Sequence, residues 1–240
     1  MSAPIQISPG VPRPYGERQP AVDGLPGGVG GGRLKRERRG ARQDPHEWFR
    51  TPPAATAALL ARETFPGPIW ECAAGDGAMA RVLIAAGYET HSTDLVPRGW
   101  GLGGVDFLRE QTMRGGSASI VTNPPYSLAA PFLLHAQALG AQRVALLLRL
   151  AFLEGMRRHR TLFRVRPPNR IWVFSSRLTM WRGDDPNARE TGGATPYAWM
   201  VWDAAPPADG PRLGWIAETT DEAPRLQPPA LPINSMDAGT

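Results

Sequence analysis

Seven short apolar runs that favour extended backbone alternate along the middle of the chain with segments of helical period, and this alternation most narrows the available folds. The runs are PIWECAA, YETHSTDL, GVDFL, ASIVTNPP, RVALLLRL, RIWVFSS and YAWMVWD. Between the first two stands GAMARVLIAAG, amphipathic and closed by Gly87; after the fourth stands SLAAPFLLHAQALG, closed by Gly140. FLEGMRRHRTLFRV follows the fifth, again with apolar residues at helical spacing. Strands that are apolar throughout and joined by helices pack side by side in a mainly parallel sheet covered on both faces, so an α/β fold is expected. Only the polar loop from Arg177 to Pro196 joins the last two runs, which predicts that they pair antiparallel at one end of the sheet.

Outside this region the pattern fails. Residues 1–44, with GGVGGGRLKRERRG, are rich in Gly and Pro and show no hydrophobic period, so they cannot offset the entropy of ordering and read as a disordered basic arm. Residues 204–240, with AAPPADGPR and LQPPALP, read as a second, Pro-rich disordered tail, leaving one domain over 45–203. A net charge of +5 and a pI near 10.1 point to an anionic partner, although the charge is almost wholly arginine and Lys35 is the single lysine. The one cysteine, Cys72, excludes an intrachain disulfide and a multi-cysteine zinc site, and no bound metal is expected. No apolar run approaches the roughly 20 residues that span a bilayer, so a cytoplasmic protein without membrane contact is expected.

The first run ends in ECAAGDGAMA, with Gly75 and Gly77 between strand and helix. Glycine there lets the backbone turn sharply and approach a ligand without a Cβ in the way. The second run ends in Asp94, placed to accept hydrogen bonds from ribose hydroxyls, and the third carries Asp106 and Phe107, suited to an adenine amino group and ring. A nucleoside-bearing cofactor is implied. The third glycine of the dinucleotide fingerprint is missing, and Met79 and Ala80 stand where a pyrophosphate would need close approach, which favours a cofactor without one.

The fourth run leads into VTNPPYSL, with Asn123 at the strand exit followed by Pro124, Pro125 and Tyr126. ECAAGDG, Asp94, Asp106 and NPPY, in that order, resemble the S-adenosylmethionine-dependent amino-methyltransferases over most of residues 45–203. EWFRTPPAATAALL is similar to the family's segment that closes over the methionine end of the cofactor. The resemblance implies a Rossmann-like seven-stranded sheet, with Thr51, Pro52, Glu71, Ala73, Gly75, Gly77, Asp94, Asp106, Phe107 and Asn123 around S-adenosylmethionine. It also implies catalysis by NPPY. An aromatic amine is a poor nucleophile because its lone pair is delocalised. Asn123 through its side-chain oxygen, and Pro124 through its carbonyl, would accept the two N–H bonds and free that lone pair. Pro125 fixes the backbone, and Tyr126 would stack on the target ring. No covalent enzyme intermediate is needed, and Cys72 reads as a small buried hydrophobe rather than a nucleophile.

The same motif is shared by enzymes acting on adenine N6 in DNA, on nucleobase amines in RNA and on a glutamine side chain of peptide-release factors. The release-factor enzymes carry a folded helical domain before the glycine loop, where this chain has a Gly-rich arm. TPPAATAALL and the motif order most resemble small phage and prophage DNA adenine methyltransferases, with RNA methylation as the runner-up. An idle nucleic-acid-binding protein of the same fold is the competing reading. A base in a duplex must be flipped out, and arginines are the expected backbone contacts: Arg177, Arg182 and Arg189 in the loop, with Lys35, Arg36, Arg38, Arg39 and Arg42 in the arm. Trp48 and Phe49 read equally as pocket border or as packing, and Trp172, Trp199 and Trp202 as core.

Overall fold

The computed structural model describes residues 47–183 and 195–217. In chain order the strands are β1 (Phe49–Arg50), β2 (Ile69–Glu71), β3 (Thr90–Asp94), β4 (Leu102–Gly103), β5 (Ser119–Thr122), β6 (Arg143–Arg149), β7 (Arg170–Phe174), β8 (Trp181–Arg182), β9 (Tyr197–Asp203) and β10 (Arg212–Ile216). The α-helices are α1 (Pro53–Leu60), α2 (Ala78–Ala85), α3 (Ala129–Ala138) and the short α4 (Met156–Arg158), which runs on into a π turn at His159–Phe163. Helix limits follow local chemistry. A proline opens α1, where its missing N–H costs nothing, and left-handed Gly87 and Gly140 follow the ends of α2 and α3.

The main sheet has the order β10-β7-β9-β6-β5-β2-β3-β4, and β9 alone runs antiparallel, to both β6 and β7. This is the α/β, mainly parallel, Rossmann-like architecture expected. From β2 the chain builds outward through β3 on one side and through β5 and β6 on the other. That reversal opens a crevice at the strands' carboxyl ends, the usual ligand site of such sheets.

The pleat sorts the core into two layers. In β6, Val144, Leu146 and Leu148 join Trp70, Phe107, Phe132 and Leu133 on one face. Ala145 and Leu147 join Leu59, Ile69, Met79 and Leu83 on the other. In β9, Trp202 and Trp199 split between the layers in the same way, each indole N–H bonded to a backbone carbonyl, of Arg166 and Ala55 respectively.

Three expectations need correction. The chain does not end its fold at Asp203: residues 212–216 form β10, parallel to β7, with Ile216 buried. Its glycine is required there, because a Cβ on Gly214 would run into the Trp172 ring; the surrounding prolines hid a five-residue strand. The sheet therefore has eight strands, and the antiparallel strand lies inside it rather than at its end. GVDFL is not a strand either. Only Leu102–Gly103 pair with β3, and Asp106 instead caps a 3-10 turn over Phe107–Arg109, accepting from the Leu108 N–H at 3.1 Å.

Candidate active site

Asn123 follows β5 directly at the crevice. Its Nδ2 donates to the Phe49 carbonyl (3.3 Å) and to the Thr51 hydroxyl (3.1 Å). A carbonyl only accepts, so the amide is held nitrogen-outward to the β1 segment, which fixes where its oxygen points. That Oδ1 is buried and has no partner among the described residues.

Behind Asn123, Pro124 is buried, and the next residues turn through a 3-10 segment at Tyr126–Leu128 pinned by the Glu47 carboxylate, which accepts the Ser127 N–H at 2.9 Å. The Tyr126 ring lies 5.4 Å from Phe49 and 6.0 Å from Tyr197, centroid to centroid, and the Arg149 guanidinium covers it at 4.4 Å. Its hydroxyl is buried; burial, then the neighbouring Tyr197, pushes its pKa upward, so it stays neutral.

The glycine loop lies beside this group. Gly75 is left-handed, and a Cβ there would stand 2.5 Å from the Trp48 indole nitrogen. Its N–H donates to Asp94 Oδ2 at 2.7 Å, while Asp94 Oδ1 takes the Val96 N–H at 2.8 Å. Asp94 is thus first a brace that ties the ends of β2 and β3 together. Glu71, the last residue of β2, is 2% exposed and its Oε2 has no partner among the described residues. Burial raises its pKa well above the ordinary carboxylate value; a bond from the Ala80 backbone opposes this, and the Asp94 and Asp76 charges add to it. Cys72 is buried beside Glu71, and burial pushes its thiol pKa up too, which suits packing rather than attack.

Over both groups lies a two-stranded cover. β1 pairs antiparallel with β8, Phe49 opposite Arg182 and Arg50 opposite Trp181. Arg50 reaches down to Asp76 of the glycine loop (2.5 Å), and Arg98 stacks on the Trp48 ring at 4.1 Å. Thr51, Glu71, Ala73, Gly75, Asp94, Asp106, Phe107, Asn123 and Pro125 all line one cleft, together with Trp48 and Phe49. Pro52, Gly77, Pro124 and Tyr126 do not: Pro52 caps α1, Gly77 caps α2 in a left-handed conformation under the Trp100 ring, Pro124 is buried, and the Tyr126 ring lies against Phe49 and Arg149. Phe107 lines the cleft, but its ring is 2% exposed and packs edge-on against Trp70 and His135. Of the expected nucleic-acid contacts, Arg182 sits in the cover strand β8 and Arg177 is exposed in the loop before it. Arg189, Lys35, Arg36, Arg38, Arg39 and Arg42 lie outside the described residues.

Arg149, Tyr197, Glu47 and the Arg50–Asp76 pair escaped the sequence reading. A signal existed for Arg149, a charge that stops the apolar run RVALLL at the end of β6. Glu47 and Tyr197 are brought in only by tertiary contact. Among the described residues there is no group of three or more His, Cys, Asp or Glu that could hold a metal, and no helix long and apolar enough to cross a membrane.

No protein-family model matches the sequence, and no curated protein matches it significantly. Solved structures similar to the chain include a protein of Pyrococcus horikoshii assigned as an RNA methyltransferase, at 13% identity and TM-score 0.49, covering 65% of this chain and 86% of that one. A protein of Vibrio vulnificus assigned as the modification subunit of a type I restriction enzyme matches at 12% and 0.45, over 73% and 48%. A dimethyladenosine transferase of Plasmodium falciparum matches at 11% and 0.43, over 65% and 62%.

Proposed function

We propose that this chain is an S-adenosylmethionine-dependent methyltransferase that modifies an exocyclic nucleobase amine, with adenine N6 in DNA as its substrate. One observation carries the reading: the Asn123 amide is clamped through its nitrogen while its oxygen is left buried and unpartnered beside the glycine loop. An unsatisfied buried acceptor costs about 1–3 kcal/mol, and a ligand N–H removes that cost.

The residues present fit the cofactor. Gly75 leaves a cradle that a Cβ would fill, Glu71 turns an unpartnered buried oxygen to the same cleft, and each Asp94 oxygen keeps a lone pair beyond its one backbone bond. Thr51, Glu71, Gly75, Asp94 and Asp106 would hold it. When bound, the cofactor supplies an electrophilic methyl group on a sulfonium. The chain's own part is positional. Asn123 Oδ1 takes one N–H of the target amine and the Pro124 carbonyl the other, which draws the nitrogen toward tetrahedral geometry, while Tyr126 and Phe49 hold the ring plane.

Nucleoside mass spectrometry after incubation with S-adenosylmethionine and unmethylated DNA, beside RNA, tests this. Methyladenine should form in DNA, and Asn123→Ala should lower the rate about 100-fold or more, the usual scale for removing such a polar contact. Signal on RNA alone would transfer the reading to RNA methylation. A blank on both with cofactor bound would leave a protein glutamine substrate or an idle binding module.

A further inference from the structure

Arg149 ends β6, opposite Tyr197 in the register with β9, at the same end of the sheet as Asn123. Its guanidinium lies 4.4 Å from the Tyr126 ring centroid and 5.9 Å from that of Phe49. The residue is exposed, and among the described residues its guanidinium makes no hydrogen bond or ion pair. Its guanidinium lies against two aromatic rings. Arg149 does not line the cleft of the glycine loop, so the cofactor's residues do not account for it.

A flat group at 4.4 Å is in contact with the ring. A base between them would need about 3.5 Å of clearance on each side, so the target ring and the guanidinium cannot both hold these places. Building on the proposed function, we propose that Arg149 covers the Tyr126 face in the free protein and is a substrate-positioning residue. As the target ring enters, it leaves the aromatic face and pairs with a phosphate flanking the target nucleotide. The contact it gives up is weak at an exposed site, whereas its planar fork matches phosphate oxygens two at a time. The swap exposes an aromatic face only when a phosphate is at hand. The site thereby favours a base within a strand over a free nucleobase.

Arg149→Ala and Arg149→Lys, assayed over a salt series on whichever nucleic acid the unaltered protein methylates, test this, with cofactor affinity and melting temperature measured alongside. Arg149→Ala should raise KM about tenfold or more, leave cofactor affinity within about twofold, and reduce the slope of log kcat/KM on log salt by about one, the weight of one phosphate contact. Arg149→Lys should keep the salt slope, since it keeps the charge, but not the full affinity. Unchanged KM and slope in Arg149→Ala would overturn the assignment. So would a lower melting temperature and kcat with the slope intact, which would make Arg149 a prop for Tyr126. If the unaltered protein methylates neither DNA nor RNA, the proposed function fails and this inference with it; an active parent with an indifferent Arg149→Ala defeats the inference alone.

Discussion

The charged cluster at the amino end of β6 and β7 and the residues around Asn123 at the crevice leave their buried polar groups in different states. At the amino end of β6 and β7, Arg170 bonds to Glu63 at 2.5 Å and to both oxygens of Asp203 at 2.6 and 3.0 Å. Arg143 takes Asp203 at 2.6 Å, and Trp172 donates to Glu63 at 2.7 Å. At the crevice, Glu71 Oε2 and Asn123 Oδ1 are buried with no partner among the described residues. A satisfied buried network specifies and stiffens a fold, while unsatisfied groups cost stability and are kept where a ligand completes them. On the proposed function, the difference separates a cluster that holds the chain together from a site that a substrate would complete.

The largest effect on stability should come from the satisfied end. Arg170→Ala leaves Glu63, with its side chain 4% exposed, and Asp203 without their main counter-charge. Stranding buried charges in this way costs about 3 kcal/mol or more, which for a domain of this size lowers Tm by roughly 6–12 °C. Cofactor affinity should stay at the parent value, because the cluster lies at the opposite strand ends. Thermal melts and titration calorimetry check both, and a variant that melts with the parent would dissolve the contrast.

Next in size is the response to pH, where the two ends should differ in sign. Burial alone would raise the Asp203 pKa, but the bonds from Arg170 and Arg143 outweigh it and hold it below the ordinary value. A carboxyl with a lowered folded pKa contributes stability that is present above its unfolded value and is lost as pH falls through the folded one, so this end weakens below about pH 4. Glu71 is shifted upward by burial first, so its favourable contribution is complete in acid and is lost as pH rises from about 4 toward its folded pKa. Asp203→Asn should flatten the acid limb of Tm against pH. Glu71→Gln should raise Tm at neutral pH, leave it unchanged below about pH 4, and weaken cofactor binding. A fall in neutral-pH Tm for Glu71→Gln would show that its charge is compensated after all.

Much of the carboxyl end was legible because its chemistry sits in contiguous residues. ECAAGDG and NPPY each fall at a strand exit, and strand exits are readable from apolar runs that stop. The arrangement of the amide was not legible: Asn123 is oriented by Phe49 and Thr51, far away in sequence, and nothing local announces that its nitrogen rather than its oxygen is taken. The satisfied end was invisible for the same reason. Glu63, Arg143, Arg170 and Asp203 come from the connection after α1 and from β6, β7 and β9, and look like ordinary surface charge until the sheet brings them together. β10 was lost to composition, since RLGWI is brief, and the prolines that precede it and its central glycine outweigh a period of two.

The smallest effect sharpens the contrast most finely, because it compares two glycines with the same backbone demand. Gly75 and Gly87 flank α2 with φ of 57° and 89°, so alanine at either costs about 1–2 kcal/mol in the left-handed region. They differ in what surrounds them. A Cβ on Gly87 meets nothing within 4 Å, whereas one on Gly75 stands 2.5 Å from the Trp48 nitrogen and pushes on the cover above the cleft. Gly87→Ala should therefore lose a few degrees of Tm and bind cofactor as the parent does. Gly75→Ala should lose a similar amount of stability, and its cofactor affinity should fall about tenfold or more, since the loop N–H held by Asp94 moves with the displaced cover. Equal binding in the two variants would mean that the glycine loop only turns the chain, and that the ligand lies elsewhere along the crevice.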